Sequence, residues 1–222
     1  GKDLLNRAGN IAKEAVKLYR KEIKIAASIP PVLGSYKPDV FNSEKAIPIL
    51  EIFKNNLIQY CDLILAETLS SIDEVKTIQR VFGDCKMPFW ISLTIEDEYY
   101  NIPKLRSGEE IVTALRKIDF NKISSVLFNC SQPEVMAKAI KVAKNLVPEN
   151  TSLGVYANAF QPIKIGQRDA NSQIRNTRQE LTPEKYFDFV KEWNELEVDI
   201  IGGCCGIGPE HIKKICELKK NR

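Results

Sequence analysis

The chain of 222 residues is 44% hydrophobic, 27% charged and 8% aromatic, which is enough for one sizeable core and predicts a single domain. Its 32 basic and 29 acidic residues give a formal net charge of +3. Because the basic residues are spread along the chain, we expect no nucleic-acid and no membrane-surface partner. No apolar run approaches the roughly 20 residues that span a bilayer, and no signal-peptide pattern is present. We therefore expect a soluble, cytoplasmic protein, with no sequence signal for its oligomeric state.

Short apolar runs alternate with helical patterns along the chain. Apolar residues spaced at three and four predict a first helix over residues 4–22. The predicted strands cover 23–29, 63–66, 89–93, 124–128, 153–157 and 199–201. Helices are predicted between them at 43–60, 71–82, 108–118, 133–146 and 182–196, with a last helix beginning at Pro209. Continuous apolar strands of this kind are typical of a parallel sheet that is covered on both faces.

Two architectures have this alternation, an open doubly wound sheet and a (β/α)8 barrel. No glycine fingerprint of a dinucleotide fold follows the first strand, which argues weakly against the open sheet. A TIM-type barrel needs eight strands, whereas six are predicted here and a helix precedes them. We therefore expect an α/β barrel that is present as about six βα units, with the first two missing.

The strongest chemical signal is the segment 202–206, Gly-Gly-Cys-Cys-Gly, directly after the last predicted strand. Adjacent side chains on a regular strand point to opposite faces, so Cys204 and Cys205 can meet one metal only where the backbone leaves strand geometry. The glycines permit that departure. Cys130 follows another predicted strand, and thiolates are natural zinc ligands. We predict that these three cysteines bind one Zn²⁺, with buried packing as the alternative.

The other candidate residues each leave two readings open. Glu67 follows the strand at 63–66 and is either a binding carboxylate in the barrel mouth or a solvated loop residue. The acidic loop at 96–100 either contacts a cationic donor or is solvated. The polar stretch at 161–181 is either a lid or an inert insertion. The single histidine, His211, is expected either to lie on the surface or to belong to the end of the last helix. For the remaining cysteines, packing is the better explanation: Cys61, Cys85 and Cys216.

At five places the sequence resembles the homocysteine S-methyltransferase family. The segment 198–212, with Gly-Gly-Cys-Cys and Pro-Glu-His-Ile, resembles the family's C-terminal signature. Residues 128–131, Phe-Asn-Cys-Ser, are similar to its middle cysteine motif, and 66–68, Ala-Glu-Thr, to the motif around its substrate-binding glutamate. Residues 155–159 resemble its Tyr-Pro-Asn segment, with alanine in place of proline, and 26–31 resemble its early strand. The family's N-terminal Asp-Gly-Gly motif has no match, in agreement with two missing βα units.

The resemblance implies a homocysteine-binding (β/α)8 barrel domain over residues 1–222, N-terminally incomplete. It implies one zinc ion on Cys130, Cys204 and Cys205, with the thiol of L-homocysteine as the fourth ligand. Glu67 would hold the substrate's ammonium group, and Tyr156 and Asn158 would line the substrate mouth. The implied reaction moves a methyl group from a small donor, such as S-methylmethionine or betaine, to homocysteine and gives methionine.

Two other functions stay open at this point. An incomplete barrel could bind zinc without catalysis, as a structural fragment or an interaction partner. An unrelated barrel enzyme could use the same cysteines for redox chemistry. Methyl transfer to homocysteine by the isolated chain would distinguish a methyltransferase from the non-catalytic fragment. One zinc per chain would exclude the redox enzyme.

Overall fold

The computed structural model describes residues 1–19, 22–162 and 176–220. Within these ranges helices and strands alternate, and four short 3-10 turns lie between or after them. The helices are α1 Lys2–Tyr19, α2 Ser43–Leu57, α3 Ile72–Phe82, α4 Ile111–Leu115, α5 Pro133–Lys144, α6 Pro183–Glu195 and α7 Pro209–Ile215. The strands are β1 Ala26–Ile29, β2 Leu63–Leu69, β3 Phe89–Leu93, β4 Ser125–Asn129, β5 Ser152–Tyr156 and β6 Ile200–Ile201.

The six strands of the described residues form one parallel sheet in the order β1-β2-β3-β4-β5-β6. A doubly wound sheet reverses its strand order at a switch point, whereas a barrel adds each strand beside the previous one. The observed order has no reversal, so the barrel-type α/β architecture that the sequence predicts is confirmed. Among the described residues, β1 and β6 each have one strand neighbour, so the sheet is open at both edges.

The helices cover one face of the sheet and bury its apolar side chains against their own. Val126, Phe128 and Val155 are fully buried at this interface. Helix α3 begins after Ser71, whose Oγ caps it by accepting a hydrogen bond from the Glu74 amide at 3.2 Å. Carboxyl ends of parallel strands meet at one edge, so the loops that leave the strands there share one surface.

Helix α1 approaches the rest of the protein most closely at Gly9. A Cβ atom at Gly9 would lie 2.3 Å from Cδ2 of Tyr60, so only glycine lets the helix approach this ring. The rest of α1 is largely exposed, including Leu4 and Leu18. None of the described helices is long and apolar enough to cross a membrane.

Two predicted elements are about half as long in the structure, and each has a local cause. Strand β1 begins at Ala26 rather than residue 23, because its pairing with β2 begins at Leu63. Before that point the Asp62 carboxylate accepts the amide hydrogen of Ile25 at 2.7 Å. Helix α4 covers five residues rather than 108–118, because the chain before it pairs in an antiparallel bridge between Lys104 and Glu110.

Candidate metal and substrate site

The ends of alternate strands carry the candidate site. Glu67 lies near the end of β2, Cys130 directly follows β4, and Cys204 and Cys205 follow β6. Alternate strands of a barrel contribute side chains to the same inward layer at the carboxyl end of the sheet. The structure brings the three cysteines into one cluster, as this layering requires.

The three sulfur atoms have the spacing of a shared metal site. All three Sγ atoms lie within 4.8 Å of one another. The Sγ of Cys205 is 3.8 Å from that of Cys130 and 4.0 Å from that of Cys204. Three thiolates at about 2.3 Å from a tetrahedral zinc ion are about 3.8 Å apart, so the cluster fits this ion with little movement. A tetrahedral ion on three protein sulfurs has one position left for a further ligand.

The backbone between β6 and the cysteines leaves strand geometry, as predicted from its glycines. A Cβ atom at Gly203 would lie 2.1 Å from Cγ2 of Ile207, so no larger residue fits there. Gly206 has a φ of +79°, in the left-handed region that favours glycine. The Cys204 amide donates to the carbonyl oxygen of Ala157 at 2.9 Å. These contacts turn the two adjacent cysteines toward the same point.

Cys130 is the buried member of the cluster, with a side chain that protein donors surround. Its φ of +51° turns the chain sharply at the end of β4, and its amide donates to the carbonyl oxygen of Tyr156 at 3.2 Å. The hydroxyl of Tyr36 donates to its Sγ at 2.9 Å. The side-chain amide of Asn158 approaches the same sulfur at 3.9 Å.

Tyr36 is held over this sulfur by a buried arginine. The guanidinium of Arg106 lies 5.4 Å from the centre of the Tyr36 ring, and both residues are buried. Burial raises the pKa of Tyr36 far above its usual value, so its hydroxyl keeps its proton and acts as a donor. The sequence reasoning missed both residues; an aromatic residue in the loop after β1 was the available signal for Tyr36.

The cluster favours the negatively charged thiolate form of Cys205, its exposed cysteine. Hydrogen bonds from Cys130 and Cys204 lower the pKa of Cys205 to about 3. The hydrogen bond to Cys130 raises the pKa of Cys204, so that thiol keeps its proton as a donor within the cluster. Metals bind thiolates rather than thiols, so a preformed thiolate at Cys205 favours metal entry from the exposed side.

Both carboxylate oxygens of Glu67 accept hydrogen bonds from hydroxyl groups. Ser28 Oγ donates to Oε1 at 2.5 Å, and the Tyr156 hydroxyl donates to Oε2 at 3.0 Å. Burial raises the pKa of Tyr156 well above its usual value, which keeps this hydroxyl protonated. Each oxygen retains a lone pair for a further donor, such as an ammonium group. Ser28, on β1, lies inside a motif that the sequence singled out, but no role was predicted for it.

Asn158 lies behind the cysteines rather than among exposed groups. It is 1% exposed, and its Oδ1 accepts from Gln132 Nε2 at 3.1 Å and from the Phe160 amide at 3.2 Å. Its side-chain Nδ2 is directed to Sγ of Cys130. The predicted contact of Asn158 with substrate stays a prediction.

The acidic loop after β3 is solvated only in part, and its contact with a cationic donor stays a prediction. The side chains of Glu96 and Asp97 are buried, because Arg106 reaches into the loop from the following segment. Its guanidinium donates to both Asp97 oxygens, at 2.9 and 3.1 Å, and lies 3.7 Å from a Glu96 oxygen. Only Glu98 and Tyr99 are exposed. The pair of acids therefore orders the loop beside the site.

Two further expectations concern the second half of the chain. His211 serves the end of α7, as predicted: its Nδ1 accepts from the Gly208 amide at 3.3 Å, and its Nε2 lies 2.9 Å from the Leu181 carbonyl oxygen. Most of the polar stretch at 161–181, which was considered as a lid, lies outside the described residues. At its end Arg178 pairs with Glu134 and with Glu180, each at 2.7 Å.

A barrel-type parallel sheet with three converging cysteines at its strand ends defines a TIM-barrel protein with a cysteine cluster that could hold a metal ion. Comparison with known proteins is more specific. The sequence profile of the homocysteine S-methyltransferase family matches residues 1–218. The chain therefore belongs to the homocysteine S-methyltransferase family.

Relatives and solved structures agree with this family. The chain is 26% identical to a betaine-homocysteine S-methyltransferase of Drosophila melanogaster, over 97% of this chain and 70% of the relative. It is 23% identical to homocysteine S-methyltransferase 2 of Arabidopsis thaliana, over 92% of this chain and 62% of the relative. The metallated form of the homocysteine methyltransferase MmuM from Escherichia coli has the same fold, with a TM-score of 0.73 and 20% identity over 100% of this chain and 71% of that one. The chain thus spans about two thirds of the length of such relatives.

Proposed function

We propose that the chain carries out zinc-dependent transfer of a methyl group from a small donor to the thiol of L-homocysteine, which gives methionine. Sulfonium or quaternary ammonium compounds, such as S-methylmethionine or betaine, are the donors that we expect. One observation carries the proposal: three thiol sulfurs on alternate strand ends lie within 4.8 Å of one another. Family membership supports the reaction class.

Zinc is the metal that we propose for this cluster. Cys130, Cys204 and Cys205 form an all-sulfur donor set, and soft thiolates select zinc over hard cations such as magnesium or calcium. When bound, Zn²⁺ would supply a Lewis acid that lowers the pKa of a thiol at its fourth position, from about 8.5 for a free thiol, and so keeps the substrate sulfur nucleophilic. A reducing compartment keeps such thiols available, and the cytoplasmic location stays a prediction.

The protein residues around the cluster bind and orient the substrate. The Glu67 carboxylate would accept the ammonium group of homocysteine, since charge-assisted hydrogen bonds of this kind are the strong ones. Ser28 and Tyr156 hold that carboxylate from two sides through their hydroxyl groups. Tyr36 and Asn158 direct donors at Cys130, which orients this sulfur from behind. The substrate would thus be held at both ends, with its sulfur facing the methyl donor.

Turnover tests the proposal directly. The purified chain, supplied with one equivalent of zinc, is incubated with L-homocysteine and either S-methylmethionine or betaine, and methionine is measured. We expect methionine to form with at least one donor, and a metal chelator to stop the reaction. Zinc binding without any methionine, across sulfonium and ammonium donors, contradicts the catalytic proposal.

One observation favours a second candidate, a zinc-binding barrel fragment that does not catalyse. Among the described residues, strands β1 and β6 have no neighbour on their outer side, and Ser28 of β1 is exposed although its hydroxyl contacts Glu67. A site that is open on one side loses part of the water exclusion that catalysis uses. This candidate predicts one zinc per chain and no turnover in the assay above.

A further inference from the structure

A buried asparagine joins the strand that precedes Cys130 to the strand that carries Glu67. Asn129, the last residue of β4, is fully buried. Its Oδ1 accepts from the Thr68 amide at 3.0 Å and from Ser92 Oγ at 2.8 Å, and its Nδ2 donates to Thr68 Oγ1 at 2.9 Å. Two of these bonds reach the same residue of β2, one to its backbone and one to its side chain.

Thr68 needs this support because its backbone conformation is unfavourable. Its φ is +64°, a region that β-branched residues rarely adopt and that costs on the order of 1–3 kcal/mol. The register between β2 and β3 shifts between Ala66 and Leu69, so Thr68 lies in a bulge. Bulges re-aim neighbouring side chains, and the neighbour here is Glu67.

The same asparagine directly precedes the first metal ligand. Cys130 also has a positive φ, +51°, so both strands turn sharply immediately beside Asn129. The buried amide of Asn129 therefore fixes the turn beside the carboxylate, from a position directly before the turn at the buried sulfur.

We propose that Asn129 is a positioning residue that sets the separation between the Glu67 carboxylate and the metal cysteines, and so selects homocysteine over shorter amino-acid thiols. The inference rests on the proposed function, because it takes the ammonium group to bind Glu67 and the sulfur to bind at the cysteines. The carbon chain of the substrate fixes the distance between these two groups. Cysteine, one methylene shorter, cannot reach both positions when their separation is rigid.

The variant Asn129→Ala tests this inference. It leaves the three ligands in place, so we expect one zinc per chain, as in the unaltered protein. We expect the KM for homocysteine to rise about tenfold or more, because the loss of a buried hydrogen bond changes an equilibrium constant by about this factor. The preference for homocysteine over cysteine, measured as the ratio of kcat/KM values, should fall by a similar factor.

Gln79→Ala is the matched control for loss of stability. Gln79 is also a buried amide, and it bonds to the backbone of Asp119 through both its nitrogen, at 3.0 Å, and its oxygen, at 3.2 Å. Asp119 precedes β4, whereas Asn129 is the last residue of β4. The hydrogen bonds of Gln79 therefore lie at the end of the sheet opposite the candidate site. We expect this variant to unfold at lower denaturant concentration with unchanged KM and unchanged thiol preference.

The double variant Asn129→Ala with Thr68→Gly separates positioning from general damage. Glycine adopts a φ of +64° without strain, so we expect it to restore most of the homocysteine KM. An unchanged KM in Asn129→Ala, or a raised KM that glycine at position 68 does not lower, overturns the inference. Absence of homocysteine binding by the unaltered chain contradicts the proposed function instead, and the two failures are thus distinct.

Discussion

The Tyr36 hydroxyl lies 2.9 Å from Sγ of Cys130 and donates a hydrogen bond to it. The two residues are 94 positions apart in the chain, and both have a positive φ, +62° for Tyr36 and +51° for Cys130. A donor aimed at a buried sulfur stabilises its thiolate form, because an anion in a buried position needs a hydrogen-bond partner. Tyr36 thus supports the proposed metal ligand that is most buried.

Tyr36→Phe should weaken metal binding without abolishing it. The ring still fills its place, but the thiolate of Cys130 loses its donor, and groups that orient metal ligands are worth about 10–100-fold in metal affinity. We expect one zinc per chain and a zinc dissociation constant at least about tenfold higher, measured by competition with a chromophoric chelator. Tyr19→Phe, at an exposed position, is the control. Equal zinc affinity in both variants means that the Tyr36 hydroxyl does not support the site.

Glu67→Gln should impair substrate binding and leave the metal in place. The amide loses the negative charge that attracts an ammonium group, and a hydrogen bond to a charged partner is worth about 1.5–3 kcal/mol. We therefore expect the KM for homocysteine to rise about 10–100-fold while the chain retains one zinc. The exposed Glu98→Gln should match the unaltered chain in both measurements. Loss of zinc together with substrate binding would assign Glu67 to the metal instead.

Arg106→Met should destabilise the fold strongly. It removes the cation between the buried Glu96 and Asp97 carboxylates, and breaking a buried pair by removing one partner costs about 3–5 kcal/mol. Urea unfolding measures the loss. Lys122→Met is the control, because its pair with Asp84 at 3.3 Å is exposed and worth at most about 1 kcal/mol. Similar losses in the two variants contradict the structural role of the buried pair.

Glu74 should make stability fall as pH rises through the neutral range. Its Oε2 accepts from the Ser70 amide, whereas its Oε1 is buried without a partner. Burial raises the pKa of this carboxyl group from 4.5 to about 7. Between these two values the folded chain holds a proton that the unfolded chain has released, so the free energy of unfolding decreases with rising pH.

The Glu74→Gln variant isolates this contribution. A shift of this size corresponds to about 3 kcal/mol, present at pH 4 and lost by pH 8. We expect the variant to be about as stable as the unaltered chain at pH 4 and more stable than it at pH 8, in urea unfolding at both values. Parallel stability curves for the Glu74 variant and the unaltered chain contradict the raised pKa.

The sequence was informative where one residue type or one period decides the structure. Apolar runs predicted all six strands, and the order of their ends predicted that Cys130 would meet Cys204 and Cys205. Gly203 was informative for the same reason: only glycine fits beside Ile207. These features depend on the residue types within short segments, so one sequence is enough to predict them.

Other features of the site depend on tertiary contacts that no local pattern contains. Thr68 has a positive φ because Asn129, 61 positions away, bonds to it twice, and propensity gives no sign of that conformation. The charges of Glu96 and Asp97 predict a solvated loop. Only the tertiary structure shows that Arg106 is buried against them. Ser28 lies in a recognised motif, but its role depends on the position of Glu67 across the sheet.

Zinc content of cysteine variants tests the central claim most directly. The chain is purified as Cys130→Ala, Cys204→Ala, Cys205→Ala and, as the control, Cys216→Ala, an exposed cysteine away from the cluster. Zinc per chain is measured by elemental analysis after dialysis. We predict about one zinc in the unaltered chain and in Cys216→Ala, and strong loss in each of the other three. Equal zinc content in all four variants contradicts a metal site built from Cys130, Cys204 and Cys205.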